Sequence, residues 1–309
     1  MRAENHMPGQ GTSSGQLTPE AAVAPAAAVA PAAEAGRRPL DAASLRRAVL
    51  RPGGLWHAID VEDRVGSTNA DLLARALAGA QEGVVLVAEE QSAGRGRMGR
   101  TWASPPRAAL TFSLLVWPAA VPPARRGWLP LLTGVAVASA VTSVTGVPTR
   151  LKWPNDVLAG ADAAAAAAKL GGILAEAAGD AVVVGVGLNV STEQEELPPP
   201  GPGGLAATSL RVAGSAAQER EPLLTAILAA FEGWYLAWRL AGGDAERCGL
   251  RAEYTRLSGT IGRRVRAELP GGQLLSGLAV GVEEDGRLLV RVSPDAELPV
   301  AAADVVHLR

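Results

Sequence analysis

Between residues 91 and 106 the chain reads Gln-Ser-Ala-Gly-Arg-Gly-Arg-Met-Gly-Arg-Thr-Trp-Ala-Ser-Pro-Pro, and this stretch narrows the possible folds more than any other. Gly94, Gly96 and Gly99 spell the G-x-G-x-x-G of a dinucleotide-binding turn. Such a turn has to open a helix, with an acidic residue about twenty positions further on. Pro105 and Pro106 forbid a regular helix here, because proline lacks an amide donor and its ring clashes with the turn before it. A doubly wound dinucleotide-binding fold is thereby excluded at this position. What remains is a loop in which Arg95, Arg97 and Arg100 alternate with glycines. Glycine lets the backbone approach an anion, and guanidinium groups supply paired, charge-assisted hydrogen bonds to carboxylate or phosphate oxygens. A carboxylate, a phosphate or both are the expected guests. Taken alone, the string also fits an Arg/Gly segment that contacts RNA, or a solvated surface loop.

The surroundings of this loop divide the chain into three parts. Residues 1–38 are Ala, Pro, Gly and Ser with almost no large side chain, so they are expected to form a disordered tail: too little apolar surface is available to offset the entropy of ordering. Residues 39–257 alternate apolar runs with turn signals and predict a mixed α/β catalytic domain. Within it Ser67-Thr68-Asn69 caps a helix, Val84–Glu89 and Leu110–Trp117 read as buried strands, and Trp128–Val144 reads as a core helix. Ala178-Gly179-Asp180 joins two strands as an antiparallel hairpin, and Leu223 to Trp238 repeat at helical spacing. Residues 258–309 hold short β-like runs with Gly turns, the pattern of a small β-barrel. Ala161–Ala168 stands out as an alanine insert, and Glu193–Gly204, acidic and then Pro/Gly-rich, as a mobile loop.

Composition removes several function classes. A net charge of −2 gives no bulk attraction to nucleic acid or to an anionic membrane, so neither is an expected partner. One cysteine, Cys248, and three scattered histidines rule out an internal disulfide, a cysteine-built zinc site and a histidine cluster. No serine–histidine pair or reactive cysteine points to covalent catalysis. The apolar runs Ala109–Trp117 and Ala181–Val190 fall short of the ~20 residues that span a bilayer, and the N-terminus lacks an export signal, so a soluble, cytoplasmic protein is expected.

Three further clusters carry polar chemistry. Lys152-Trp153-Pro154-Asn155-Asp156 packs a cation, a rigid turn, an amide and a carboxylate into five positions, where Asn155 or Asp156 alone would pass as an Asx-turn. Lys169 enters a strand through Gly171 and Gly172, an arrangement that can set a point charge on a phosphate. Gly185, Gly187 and Asn189 interrupt an otherwise apolar strand, and glycine in a strand marks the close approach of a ligand or another backbone. With the arginine loop, this inventory suits activation of a carboxylate by a nucleotide, in which preorganised positive charge aligns two anions.

Ser67-Thr68-Asn69, Gly94 to Trp102, Lys152 to Asp156, Lys169 with Gly171 to Glu176, and Gly185-x-Gly187-x-Asn189, in this order, resemble the biotin–[acetyl-CoA-carboxylase] ligase family. The likeness extends from about Leu55 through the closing Asp304-Val305-Val306-His307-Leu308-Arg309. It implies an α+β protein: a mixed-sheet, class II synthetase-like catalytic domain followed by a small SH3-like β-barrel. It also implies biotin and ATP as substrates with Mg2+, formation of biotinyl-5′-AMP, and transfer to a lysine of a biotin carboxyl carrier protein domain. By this resemblance Ser67, Thr68, Asn69 and Gln91 line the biotin pocket, and Arg95, Gly96 and Arg97 close over biotin. Lys169 meets the carboxyl and α-phosphate, and Asp156, with Asn155, orients the metal or the attacking amine. Arg100, Trp102, Lys152, Asn155, Gly172 and Asn189 face the nucleotide. Arg97, Lys169 and Asp156 are the expected catalytic residues, Asp156 is a candidate Mg2+ contact, and no tightly bound metal is expected. Glu193–Gly204 is the candidate cover over the adenine. Some relatives carry an N-terminal helix-turn-helix domain, which residues 1–38 cannot form. The alternatives are a lipoate–protein ligase-like acyltransferase, a biotin-responsive regulator and an Arg/Gly RNA-binding protein. A monomer or a weak homodimer fits equally.

Overall fold

The computed structural model describes residues 36–160, 167–201, 204–269, 272–301 and 303–308. The alanine insert and the N-terminal segment therefore lie largely outside the described residues. In chain order the elements are α1 (Ala42–Val49), β1 (Ala58–Glu62), α2 (Thr68–Leu77), β2 (Val84–Ala88), β3 (Ala109–Val116), α3 (Trp128–Thr145), β4 (Thr149–Lys152), β5 (Asp156–Ala159), β6 (Ala168–Ala178), β7 (Ala181–Asn189), α4 (Arg220–Leu240), α5 (Leu250–Leu257), β8 (Arg264–Glu268), β9 (Leu274–Val282), β10 (Leu288–Ser293), β11 (Ala296–Val300) and β12 (Asp304–His307).

Strands β1 to β7 form one mixed sheet in the order β1-β2-β3-β7-β6-β5-β4, with β1 parallel to β2 and every other neighbour antiparallel. Every residue of β3 and β7 is buried. Helices cover both faces there, so the two central strands read as near-continuous apolar runs instead of alternating. One face carries α2, whose Leu72 and Ala76 pack on Leu86, Leu115, Ala181 and Val183. The other face carries the main core, built with α3 and α4. Residues Pro123–Thr145 are long and apolar enough to cross a membrane, but two-thirds of the apolar 18-residue window within that stretch is buried in the fold. Its apolarity on every side follows from being enclosed by α4, α5 and the sheet.

The remaining strands form a five-stranded antiparallel sheet in the order β11-β10-β9-β8-β12. Two buried tryptophans of the larger layer dock its β9–β10 turn: Trp128 Nε1 donates to Glu283 O and Trp153 Nε1 to Gly286 O, both at 3.1 Å. A buried indole N–H needs an acceptor, and turn carbonyls supply one. The docking fixes where β12 runs.

Two expectations need correction. Arg37 and Arg38 do not behave as part of a featureless tail. The Arg37 guanidinium donates to Glu196 Oε2 at 2.5 Å and to Ser191 O at 3.1 Å, while Arg38 O accepts from buried Arg220 at 2.7 Å. Arg220 in turn pairs with Glu89, which also accepts from Leu40 N at 2.6 Å. Removing one member of such a buried pair strands a charge, at a cost of about 3–5 kcal/mol. The second correction concerns Glu193–Gly204. Its acidic half is a capped 3-10 turn at Gln194–Glu196, in which Glu193 and Glu196 satisfy each other's backbone amides. Arg37 holds that turn in place, so its charges serve a tertiary contact and do not mark a mobile loop.

Candidate active site

The sequence clusters converge on two adjoining cavities. The first has a volume of about 120 Å³ and is bounded by Ser67, Thr68, Asn69, Gln91, Arg95 and Arg97, with Gly185 and Gly187 in its floor. The second, of about 410 Å³, is bounded by Lys152, Asn155, Asp156, Asn189, Pro198 and Asp304. Arg100, Thr101, Trp102, Asn155 and Lys169 border both. These five residues form the partition between the chambers.

The first chamber is wired by hydrogen bonds between elements. Ser67 caps α2, so Thr68 and Asn69 in its first turn point over the sheet. Gln91 Oε1 accepts from Thr68 N at 2.8 Å and from Thr68 Oγ1 at 3.0 Å. Asn69 Nδ2 donates to Leu174 O at 3.1 Å and to Glu176 Oε2 at 2.7 Å. Ser113 Oγ lies 2.7 Å from Thr68 Oγ1 and 2.6 Å from Asn69 Oδ1. Sequence reasoning missed Ser113 and quoted Glu176 at the end of the Lys169 motif without giving it a role. The signal for Ser113 was Thr111 and Ser113 at i, i+2 in an apolar strand, which puts two hydroxyls on one face.

The strand glycines have a direct steric cause. A Cβ on Gly185 would sit 2.2 Å from Asn69 Oδ1, and one on Gly187 would sit 2.3 Å from the Trp102 ring. Gly187 pairs across the sheet with Gly172, which also faces the Trp102 ring, so the indole lies over a floor of two glycines. The approach that glycine allows is thus made first by Asn69 and Trp102, two side chains of the protein itself. Trp102 Nε1 is buried and lacks a partner among the described residues, leaving an unused donor at the partition.

The arginine loop is a hairpin-like excursion. Trp102 N donates to Gly94 O at 2.9 Å and Gly96 N to Arg100 O at 2.7 Å, with Met98 at φ 54° and Gly99 at φ 73° at its apex. Gly94 has to lack a side chain because a Cβ there would meet Trp102 O at 2.3 Å. Arg100 is already engaged, its two terminal nitrogens lying 2.8 and 3.1 Å from the carboxylate of Asp304 on β12. Arg95 is exposed, and Arg97 is half-buried without an ion pair among the described residues. Burial, with Arg100 adding to it against the opposing pull of Asp304 and Asp156, holds the Arg97 guanidinium below its ordinary value. An unpaired, partly desolvated guanidinium is primed for an anion.

Asp156 lies between two ammonium groups, with Lys169 Nζ at 2.6 Å from Oδ1 and Lys152 Nζ at 3.3 Å from Oδ2. Burial works to raise the Asp156 pKa, but the two lysines outweigh it and hold the carboxyl below the usual carboxylate range. Two cations around one carboxylate leave the second chamber with net positive charge. Asn155 does not close an Asx-turn by itself: it docks the turn on β6, donating from Nδ2 to Ile173 O at 2.9 Å. Asn189 commits its amide to Thr208 O at 2.9 Å. His307 enters the account only in three dimensions. Its Nε2 lies 3.0 Å from Thr260 Oγ1, which accepts from Trp153 N at 3.0 Å, so the hydroxyl proton is free to go to the imidazole. Burial, reinforced by Lys152 and Arg263 and opposed by Asp156, pushes His307 down to about 4.

A resident divalent cation does not fit this donor set. Asp156 is occupied by two lysines and Asp304 by Arg100, and the described residues hold no cluster of three His, Cys, Asp or Glu side chains suited to a metal. The expected Asp156–Mg2+ contact is therefore not provided by the arrangement around that carboxylate.

Comparison with known proteins places the chain in a family. Residues 61–191 match the model of the biotin/lipoate A/B protein ligase family, and residues 260–308 match the biotin protein ligase C-terminal domain. The chain is 46% identical over 277 residues to the biotin–[acetyl-CoA-carboxylase] ligase of Mycobacterium tuberculosis, covering 88% of this chain and 97% of that protein. It is 30% identical to the bifunctional ligase/repressor BirA of Bacillus spizizenii over 74% of this chain and 68% of the relative. Among solved structures, the biotin protein ligase of Aquifex aeolicus in complex with biotin and ATP superposes with a TM-score of 0.65 at 25% identity, covering 82% of this chain and all of that one. Fold, site and sequence together make this chain a member of the biotin protein ligase family, within the biotin/lipoate A/B protein ligases.

Proposed function

We propose that the chain joins biotin to ATP and passes the biotinyl group to a lysine of a carrier domain, with the first cavity holding biotin and the second the nucleotide. The observation that carries the assignment is the shared partition: Lys169 borders both cavities, where a carboxylate entering from one side meets a phosphate entering from the other, and Arg97 lines the first cavity. In the first step a biotin carboxylate oxygen attacks the α-phosphorus, a new P–O bond forms, and pyrophosphate leaves. Arg97 and Lys169 neutralise the two approaching anions and align them, work that positions charge without covalent chemistry. In the second step the carrier's lysine amine attacks the acyl carbon and AMP leaves with the bonding pair.

Thr68, Asn69 and Gln91 present polar groups to the ureido and ring atoms of biotin, held in place by Ser113 and Glu176. Trp102 and Asn189, with the wall at Pro198 and Pro199, face the nucleoside. Asp156 keeps both lysine ammonium groups in the chamber and is the carboxylate assigned to orient the attacking amine. Magnesium enters as part of the Mg-nucleotide substrate. Enclosing the acyl-adenylate between the arginine loop and this wall keeps water from hydrolysing it.

Incubating the chain with biotin, Mg-ATP and a biotin carrier domain is expected to acylate the carrier. Transfer of lipoate but not of biotin would overturn the assignment. In the Arg97→Ala variant, adenylate formation is expected to fall by about 10²–10³, the scale for loss of one positioned charge donor, with the melting temperature unchanged. Wild-type turnover in that variant would show the loop to be bystander structure.

A further inference from the structure

The contacts of Arg37 reach further than anchoring a segment. Its guanidinium and the Glu196 carboxylate are only 8% and 9% exposed, and the same guanidinium also holds Ser191 O. Glu196 ends the 3-10 turn, and two positions later begins Pro198-Pro199-Pro200. Pro198, Pro199 and Gly201 form a wall of the larger cavity. A proline run fixes φ near −65° at each residue, so a shift at its root is passed along rather than absorbed.

The far end of the wall is anchored separately: Lys169 N donates to Ala206 O at 2.7 Å and Thr208 N to Lys169 O at 2.8 Å. Among the described residues, the other side-chain ion pair of the acidic turn, Arg211 with Glu193, is much more exposed, at 49% and 39%, and so contributes less. Arg37 is thus the buried cation that sets the near end, although it stands outside both matched family regions.

We infer that Arg37 is a positioning residue for nucleotide binding: through Glu196 it sets the proline wall over the larger cavity. The inference rests on the assignment of that cavity to the nucleotide. Its prediction is selective. Removing Arg37 releases the wall of the second chamber and leaves the first chamber, wired through α2, β3 and β6, untouched.

The test uses the full chain, titrated calorimetrically with biotin and, at saturating biotin, with a non-hydrolysable ATP analogue. In Arg37→Ala the analogue's Kd is expected to rise about tenfold while that of biotin stays within about twofold. Glu196→Gln should give the same selective loss, and the double variant should be no worse than either single, because both act through one contact. Arg37→Lys, which keeps the charge but not the fork that spans Glu196 and Ser191, should fall between. If Arg37→Ala does not fold, Glu196→Gln carries the test, since it retains an acceptor for Glu193 N. Unchanged analogue affinity in the folded variants, or parallel losses for both ligands with a lower melting temperature, would overturn the inference and leave the nucleotide assignment standing. Failure of the wild-type chain to bind the analogue would overturn that assignment, and the inference with it.

Discussion

The two chambers are built on opposite principles. The first chamber, proposed for biotin, is assembled from regular elements: the first turn of α2, the faces of β3, β6 and β7, and the residue Gln91 just beyond β2. Its polar groups are bonded to one another, as in the Thr68–Gln91 and Asn69–Glu176 pairs. The second chamber, proposed for the nucleotide, is assembled from the ends of β4, β5, β6 and β12 together with the arginine loop and the proline segment, joined by ion pairs: Arg100 with Asp304, Lys169 with Asp156, and Arg37 with Glu196. A satisfied hydrogen-bond network on rigid elements favours one shape, which suits discrimination of a neutral bicycle. Charged side chains drawn from several elements suit a polyanion, for which field and neutralisation outweigh close fit.

The sharpest way to break this comparison is at the partition, where both chambers depend on one residue. Gly187→Val places branched carbon into the space of the Trp102 ring, whose nearest atom stands 2.3 Å from an ideal Cβ. Both ligands should lose affinity and transfer should fall by about 100-fold or more, with about 1–3 kcal/mol of destabilisation from overpacking. Parallel calorimetry of biotin and nucleotide measures this; a loss confined to the nucleotide would show that Trp102 does not shape the biotin side. A smaller, one-sided effect is expected from Asp304→Asn, which removes the carboxylate charge facing Arg100. A partly exposed ion pair contributes about 1 kcal/mol, so nucleotide affinity should drop by about fivefold with biotin binding unchanged. An equal loss for biotin would place the Arg100–Asp304 pair in both chambers.

A different kind of effect is a pH dependence of stability. His307 stays neutral in the fold down to about 4, whereas the unfolded chain protonates near the ordinary value of 6.5. Between those values the unfolded state binds more protons, so stability falls as the pH is lowered from 6.5 towards 4. Asp156, depressed in the fold, adds stability that is present above its unfolded value and lost as pH falls through its folded value. Chemical denaturation across this range should show a shallower slope between pH 6.5 and 4 for His307→Gln than for the wild type. An identical slope would remove His307 from the account.

Much of the larger sheet was legible in the sequence because its central strands are buried on both faces. Val182-Val183-Val184 and Leu110 to Val116 leave little alternative to enclosed strands, and Ser67 marks the start of α2. The glycines at 185 and 187 correctly signalled close approach, but not by what: Asn69 and Trp102 arrive from other parts of the chain. Ser113 carried only the faint local sign of a second hydroxyl on one strand face, and Arg37, Asp304 and His307 carried none. Arg37 pairs with a residue 159 positions away and Asp304 with one 204 positions away. Periodicity and spacing report only on neighbours along the chain.

From the sequence alone came the loop between Gln91 and Trp102, the exclusion of a dinucleotide turn by Pro105 and Pro106, the order of the motifs, and the chemistry of an anion-activating site. These are properties of local conformation and residue type, which a linear chain carries with it. Tertiary structure alone decided that Lys152 and Lys169 share Asp156, that Arg100 is spent on β12 while Arg97 has no ion pair among the described residues, and that Arg37 pairs with Glu196. The physical reason is that an ion pair is defined by a distance through space, and only the packing of α2, the sheet and the C-terminal strands sets that distance.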